Sequence, residues 1–423
     1  VLSLGDSRAI AAARVGPKAA TLARLTAAGL PVPEGFALTD EAYRLQLRAA
    51  GSEDTARGMA GADPDEARRQ ALAVRLGFLR APVDPAIVRA LTEAWVGLTK
   101  ESGPLVAVRS SALCEDALGA SFAGQFDTFL GIGDRDDLLT AVRACWASLW
   151  ATRALRYMRA HGADPAGTAM AVLIQRMVEA RAAGGALSRT PDGHLEITGT
   201  WGLGSAVAQG EVVPDRFVLS RKGKLMTIEP GRKDRLVAAS AAAGTRWQAV
   251  PRNLSEAPCL SEQEAETLAG LILEVETLLG TAVELEWAKD ERSFFILQAR
   301  PLPVEAPRAD DDLWRRHPGL RGQPSGIGWA SGPACVVLHE HDLDHVGVGD
   351  VLVTQVAGPA LTVVLPRVAA VVAELGGSTS HLAALARERG IPAVLGAREA
   401  TRRIPSGATV AVDGVAGVVR WMR

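Results

Sequence analysis

Residues 374–396 read ELGGSTSHLAALARERGIPAVLG, and their order decides how the C-terminal part of the chain folds. An apolar run ending at Leu375 has strand character, and Gly376 and Gly377 let the backbone turn sharply after it. Ser378, Thr379 or Ser380 can then cap a following helix, which puts His381 in its first turn. There the free backbone N–H groups and the positive end of the helix dipole can receive a phosphoryl dianion. A neutral imidazole is a competent nucleophile near pH 7, and its N-phosphoryl adduct can pass the group onward. Taken alone, the segment fits a helix-capping or surface histidine at least as well.

Working outward, residues 326–423 alternate Gly-bounded strands (PACVVLH, DVLVTQV, VAAVVAEL and ATVAVDG) with one helix predicted at His381–Arg389, a domain of ordinary size. His339, His341 and His345 cluster in HEHDLDH, where only His341 and His345 have the spacing of a helical metal-binding pair, so a polar loop is the expectation. Residues 303–325, Trp314 among them, are rich in proline and acidic side chains and read as a linker. Residues 1–302 mix amphipathic helices with apolar runs such as LVAVRSS, AMAVLIQRMV, VELEWAKD and FFILQARPL, which gives α+β rather than a regular βαβ array. Asp40–Leu98 is predicted helical, with breaks at Gly61–Pro64 and Ala81–Pro85.

A chain of 423 residues, 48% hydrophobic and 22% charged, is expected to form two or three domains with a sizeable core. Its net charge of -2, with no basic block, argues against a nucleic-acid partner. No apolar run approaches the roughly 20 residues that cross a bilayer, and the opening VLSLGDSRAIAAARVGPK lacks the order of a signal peptide. A cytoplasmic protein without a membrane partner is therefore expected. Cys114, Cys145, Cys259 and Cys335 stand far apart with no CxxC pair, as free thiols do.

Three stretches of the first 302 residues suit a nucleoside triphosphate. In VGPKAATLARL, Lys18 opens a helix after Gly16 and Pro17 and can place an ammonium on a phosphate, although a surface lysine is ordinary there. In VAVRSSALCEDALGASFAGQFDTFLGIG, an apolar strand delivers Arg109 and two hydroxyls ahead of a loop with Gly119 and Gly124. A guanidinium binds phosphate bidentately and glycines let N–H groups approach it; an ion pair of Arg109 with Glu115 or Asp116 is the other option. In VELEWAKD and FFILQARPL, strand alternation puts Glu284 and Glu286 on one face, and Gln298 with Arg300 on one face. Carboxylate and amide oxygens suit a magnesium that bridges phosphates, and Arg300 can stabilise a moving phosphoryl group; internal salt bridges remain the alternative. WGLGSAVAQGEVVPDRFVLS, residues 201–220, adds a glycine-rich loop and a strand.

Together these stretches resemble the family of phosphoenolpyruvate synthase, pyruvate phosphate dikinase and the related rifampicin phosphotransferases. The resemblance covers nearly the whole chain, through VGPKAATLARLTAAGLPVPEGFALT, VRSSALCEDALGASFAGQFDTFL, QRMVEARAAGGALSRTPDG, TWGLGSAVAQG, ELEWAKD, LQARPLP and GGSTSHLAALARERGIPAVLG. It implies an ATP-grasp nucleotide-binding domain over residues 1–302, a linker over 303–325, and a small swivelling β/α phosphohistidine domain over 326–423. It further implies that His381 takes the β-phosphoryl group of ATP, leaving AMP, while water or orthophosphate takes the γ-phosphate. By matching position, Lys18, Arg109 and Arg300 would hold phosphates, Gly124 would belong to the loop that covers them, and Arg153 matches another family arginine more loosely. Gln175, Met177 and Val178 would lie beside the adenine, Glu284 would contact nucleotide or metal, and Glu286 and Gln298 would hold Mg2+.

Two departures from the family pattern stand out. Ser205 occupies the place of an acidic residue after WGLG, which puts one nucleotide or metal contact in doubt. The pyruvate-binding barrel of the synthases and the large middle domain of the antibiotic kinases are not seen in the sequence, so no acceptor site is visible. The expectation is a dikinase-type phosphotransferase acting on an unidentified small molecule, and the alternative is a phosphoryl donor to a separate acceptor subunit. A third option, a non-catalytic nucleotide sensor, is opposed by the joint presence of Lys18, Arg109, Glu286, Gln298, Arg300 and His381.

Overall fold

Apolar residues without polar interruption in Met170–Ile174 predict a strand buried on both faces, and this strand sits at the centre of the N-terminal sheet. The computed structural model of the chain describes residues 1–59, 62–100, 105–115, 122, 124–240, 244–302, 317–356 and 358–422. Residues 303–316 of the expected linker, including Trp314, lie outside the described residues, as do Asp116 and Gly119. Contacts divide the chain into one unit of residues 1–179, 239–246 and 295–300, and a second of residues 180–238, 247–294 and 301–423.

The first unit contains a five-stranded antiparallel sheet in the order Leu2–Ser3, Gly35–Leu38, Met170–Arg176, Val106–Ala112, Thr128–Ile132. Helices Ala12–Ala27, Asp40–Ala49, Pro64–Arg80, Pro85–Thr99 and Arg135–Ser148 belong to the same unit. Aromatic side chains join several of them: Trp150 Nε1 donates to Tyr43 Oη at 3.0 Å, and Tyr43 stacks on Phe78 with ring centroids 5.1 Å apart. The expected break before Pro85 is present, and Asp84 caps the helix after it by accepting from Ala86 N. A further break at residues 50–52 was not foreseen; Gly51 adopts a φ of 63° there, and a short helix Glu53–Gly58 follows.

The helix Ala12–Ala27 changes direction at Gly16, whose φ of 73° and ψ of 161° are not helical, and resumes through Pro17. This kink puts Lys18 in the first turn of the resumed helix. A Cβ at Gly16 would lie 2.3 Å from the carbonyl oxygen of Ser111. Gly16→Ala is therefore expected to cost roughly 2 kcal/mol through the positive φ and the collision, read as a lower urea midpoint.

The second unit contains an antiparallel sheet in the order Val283–Lys289, Ala182–Leu187, Leu195–Trp201, Asp215–Leu219, Leu225–Glu229. Helix Glu262–Leu279 packs on it, opened by a capping box of Ser261 and Glu264 and ended by Gly280 in the left-handed region. The same unit holds a mixed eight-stranded sheet, ordered Gly319–Arg321, Val418–Met422, Thr409–Asp413, Trp329–Val337, Val351–Thr354, Ala370–Ala373, Ala393–Leu395, Gln323–Pro324. Pairing is parallel from Trp329–Val337 to Ala393–Leu395 and antiparallel at both flanks. Val353, Val372, Val394 and Val410 fill its core. The four strands predicted after residue 326 are all present, and the chain is a mixed α/β protein.

All four cysteines are free thiols, Cys145 and Cys259 buried and Cys114 and Cys335 half-buried. Burial pushes the Cys145 thiol up to about 12 and that of Cys114 up to about 11, so both stay protonated at neutral pH. Among the described residues, no helix is long and apolar enough to cross a membrane.

Candidate functional site

In the first unit the site is built around the strand Val106–Ala112, on which every residue except Arg109 is buried. Arg109 Nη1 donates to Leu297 O at 2.7 Å and its Nη2 to Gln298 Oε1 at 2.9 Å. The guanidinium is thus held flat against the strand segment that carries two other expected ligands, Gln298 and Arg300. Lys18 reaches the same strand from its helix: Nζ donates to Ser110 O at 3.1 Å and to Glu115 Oε1 at 2.9 Å. Glu115 is almost fully buried, whereas the Lys18 side chain is 21% exposed. Lys18 thus meets the residue next to Arg109 and also Glu115, and Arg109 meets Gln298.

Gly124 lies in the turn before Thr128–Ile132 with a φ of 67°. Arg153, at the start of helix Thr152–Ala160, donates from Nε to Gln125 O at 2.9 Å and pairs with Asp127. Phe122 anchors the same turn: it is 2% exposed, its ring lies 4.6 Å from that of Tyr157, and it stacks on Phe126. Gln175 is buried with Nε2 directed to Pro33 O at 3.4 Å. Met177 Sδ accepts from Gly131 N, and Val178 is half-buried.

In the second unit, alternation along Val283–Lys289 puts Glu284 and Glu286 on the face opposite Leu285 and Trp287, with Glu286 in register with Gly185. Glu284 is 8% exposed, and its Oε2 accepts from Arg387 Nη2 at 2.9 Å. Arg387 lies near the end of the helix His381–Glu388 and also donates to Ser378 O, folding back under the turn that precedes the helix. Ser380 is the N-cap and accepts from Ala383 N at 3.3 Å, so His381 is the first helical residue, as the sequence predicts. The turn is seated by further contacts: Ser378 Oγ donates to Glu196, and Thr379 Oγ1 lies 2.5 Å from Thr198 Oγ1. Glu196, 1% exposed, also accepts from Arg216 Nε at 2.8 Å. Burial opposes the Arg216 charge, yet Glu196 and Glu229 hold its pKa above the ordinary value. Gly185, Glu196, Thr198, Arg216 and Arg387 were not anticipated as a group; only Gly185 carries a local signal, being a glycine inside a strand.

Ser205 begins a short helix, Ser205–Ala208. His339, His341 and His345 fall in and beside a 3-10 helix, Glu340–His345. Among the described residues no three His, Cys, Asp or Glu side chains cluster as a metal site. Glu286 in the second unit and Gln298 in the first each carry the kind of hard oxygen donor that magnesium takes.

Residues 12–316 match the family model of the pyruvate phosphate dikinase AMP/ATP-binding domain, and residues 346–417 match that of the mobile domain of PEP-utilising enzymes. The phosphoenolpyruvate synthase of Aeropyrum pernix is 34% identical over 96% of this chain and 56% of its own length. A probable phosphoenolpyruvate synthase of Methanothermobacter thermautotrophicus is 32% identical over 96% of this chain and 61% of its own. For the phosphoenolpyruvate synthase of Escherichia coli the values are 32%, 96% and 55%. The chain spans little more than half the length of these curated relatives.

Proposed function

This chain belongs to the family of phosphoenolpyruvate synthase and pyruvate phosphate dikinase, and on that premise we propose that it is an ATP-dependent phosphotransferase working through phospho-His381. Residues 1–302 act as an ATP-grasp domain, and residues 326–423, together with the strands Gly319–Arg321 and Gln323–Pro324 at the end of the expected linker 303–325, act as a swivelling carrier that delivers the group to a small-molecule acceptor. The observation that carries this reading is His381 at the start of a helix capped by Ser380, inside the segment matching the family's mobile domain.

A neutral ring nitrogen of His381 attacks the β-phosphorus of ATP. The bond from that phosphorus to the oxygen bridging the α-phosphate breaks, and its electron pair leaves with AMP. The γ-phosphoryl group then passes to water or orthophosphate, and the β-phosphoryl group stays on His381 until the acceptor takes it. Lys18, Arg109 and Arg300 hold phosphate oxygens, Gly124 belongs to the loop over them, and Arg153, from the start of helix Thr152–Ala160, adds a further phosphate contact. Gln175, Met177 and Val178 line the adenine, and Glu284 contacts the nucleotide. Glu286 and Gln298 would hold magnesium, which would supply neutralisation of phosphate charge. The half-buried Lys18 ammonium and the clamped Arg109 guanidinium support these roles, because both are fixed before any ligand arrives.

The test uses the chain with magnesium and ATP labelled separately in the β and γ positions. The expected result is β-label on the protein, stable to base and lost in acid, with AMP formed in equal amount. Label from the γ position alone would identify an ordinary kinase and end the dikinase reading.

A further inference from the structure

The turn that carries His381 is held by polar contacts and by close approaches that only glycines allow. A Cβ on Gly185 would fall 2.5 Å from Thr379 Cβ and 2.6 Å from its Oγ1, so the turn approaches strand Ala182–Leu187 only because residue 185 is glycine. Glycine inside a strand weakens it, and Gly185 sits at the centre of this one. Around that notch stand Glu196, which takes the Ser378 hydroxyl, Thr198, which meets Thr379, and Glu284, which takes Arg387. On the far side, Gly376 N donates to Val212 O at 3.1 Å, and a Cβ on Gly377 would fall 2.6 Å from Pro214 Cγ.

Hydroxyls, carboxylates and a guanidinium can return to water when the surfaces part, as contacts between moving domains do. The turn lies in the segment matching the mobile domain, residues 346–417, while Gly185, Glu196, Thr198 and Glu284 lie in the segment matching the nucleotide-binding domain, residues 12–316.

We propose that Gly185, Glu196, Thr198 and Glu284 form a socket that reversibly seats the turn Gly377–Ser380, and that Arg387 is the positioning residue that locks it. Arg387 spans both surfaces: one amino group holds Ser378 O and the other holds Glu284 Oε2. Its charge is nearly buried, with 8% of the side chain exposed against 10% for Glu284, so removing either group from the closed socket is costly. The inference rests on the function proposed above in treating His381 as the group to be seated.

The experiment compares wild type, Gly185→Ala, Arg387→Ala and Arg387→Lys by three readouts. These are the single-turnover rate of β-label incorporation, the dissociation constant for a non-hydrolysable ATP analogue, and hydrogen exchange of residues 376–380. Gly185→Ala and Arg387→Ala are each expected to slow labelling by about tenfold or more, while nucleotide affinity changes by less than about threefold. Exchange of residues 376–380 should rise in both. Arg387→Lys, which keeps the charge but loses the fork, should recover part of the rate. Thr379→Gly placed in the Gly185→Ala chain should recover part of it too, because it removes the atoms the new methyl strikes, and this rescue separates a blocked socket from general misfolding. An unchanged labelling rate, or a dissociation constant that moves as much as the rate, would overturn the proposal. If wild type takes no β-label, the function proposed above falls, and exchange still decides the socket: protection of residues 376–380 in Gly185→Ala equal to wild type rules it out.

Discussion

His381→Ala is expected to abolish β-label incorporation, a loss of at least about 10³-fold, with the fold intact. Two features of the structure make this a clean test. The helix His381–Glu388 is capped by Ser380, so its start does not depend on the histidine, and alanine is the better helix former. His381 is half-buried at the head of the helix, while Leu382, Ala383, Leu385 and Ala386 form its buried face. Alanine there deletes the nucleophile and keeps the cap and the buried residues that follow, and the thermal midpoint should move by only a few degrees. Equal β-label in the alanine chain would show that another residue carries the phosphoryl group.

Much of this part of the chain was legible in its sequence because the signals are local. Two glycines, three hydroxyl residues and an apolar periodicity in ELGGSTSHLAALARERG specify a turn, a cap and a helix within a dozen residues, and Ser380 proved to be the cap. The strands Val351–Thr354, Ala370–Ala373 and Thr409–Asp413 announced themselves as short apolar runs between glycines. Gly319–Arg321 and Gln323–Pro324 are too short to show any period, and they exist because Val418–Met422 and Ala393–Leu395 offer edges to pair with. Periodicity placed Glu284 on a face without saying what meets it. Its partner Arg387 is 103 residues away, and Glu196 is 182 residues from Ser378, so neither contact leaves a trace in local spacing. Gly16 was noticed as the residue before a helix, but its close approach to Ser111 depends on a strand almost a hundred residues later.

Asp215→Ala is expected to lower the stability of the second unit by about 3 to 5 kcal/mol, the range for breaking a buried ion pair from one side. Asp215 and Lys233 are both fully buried, with Lys233 Nζ 2.5 Å from Asp215 Oδ1. The carboxylate is satisfied on all sides, since Gly231 N donates to Oδ1 and Cys259 N to Oδ2, both at 2.8 Å. Burial first, and then the Asp215 charge, pushes the Cys259 thiol well above its ordinary value, so it stays neutral beside the pair. Alanine would leave an ammonium and two backbone N–H groups buried without their acceptor, each of which carries its own desolvation penalty.

The effect should also reach the socket. Asp215 opens the strand Asp215–Leu219, whose next residue, Arg216, holds Glu196 under Ser378, and Pro214 before it accepts from Gln323 Nε2 at 2.8 Å. Urea unfolding followed by tryptophan fluorescence, to which Trp287 of this unit contributes along with the other tryptophans, should show an earlier transition in Asp215→Ala than in wild type. Asp215→Leu combined with Lys233→Met should recover much of the loss, because an apolar pair of similar volume leaves no charge unpaired. An unchanged midpoint in Asp215→Ala would mean that water reaches Lys233, and the pair could not then be what fixes Arg216 beneath the histidine turn.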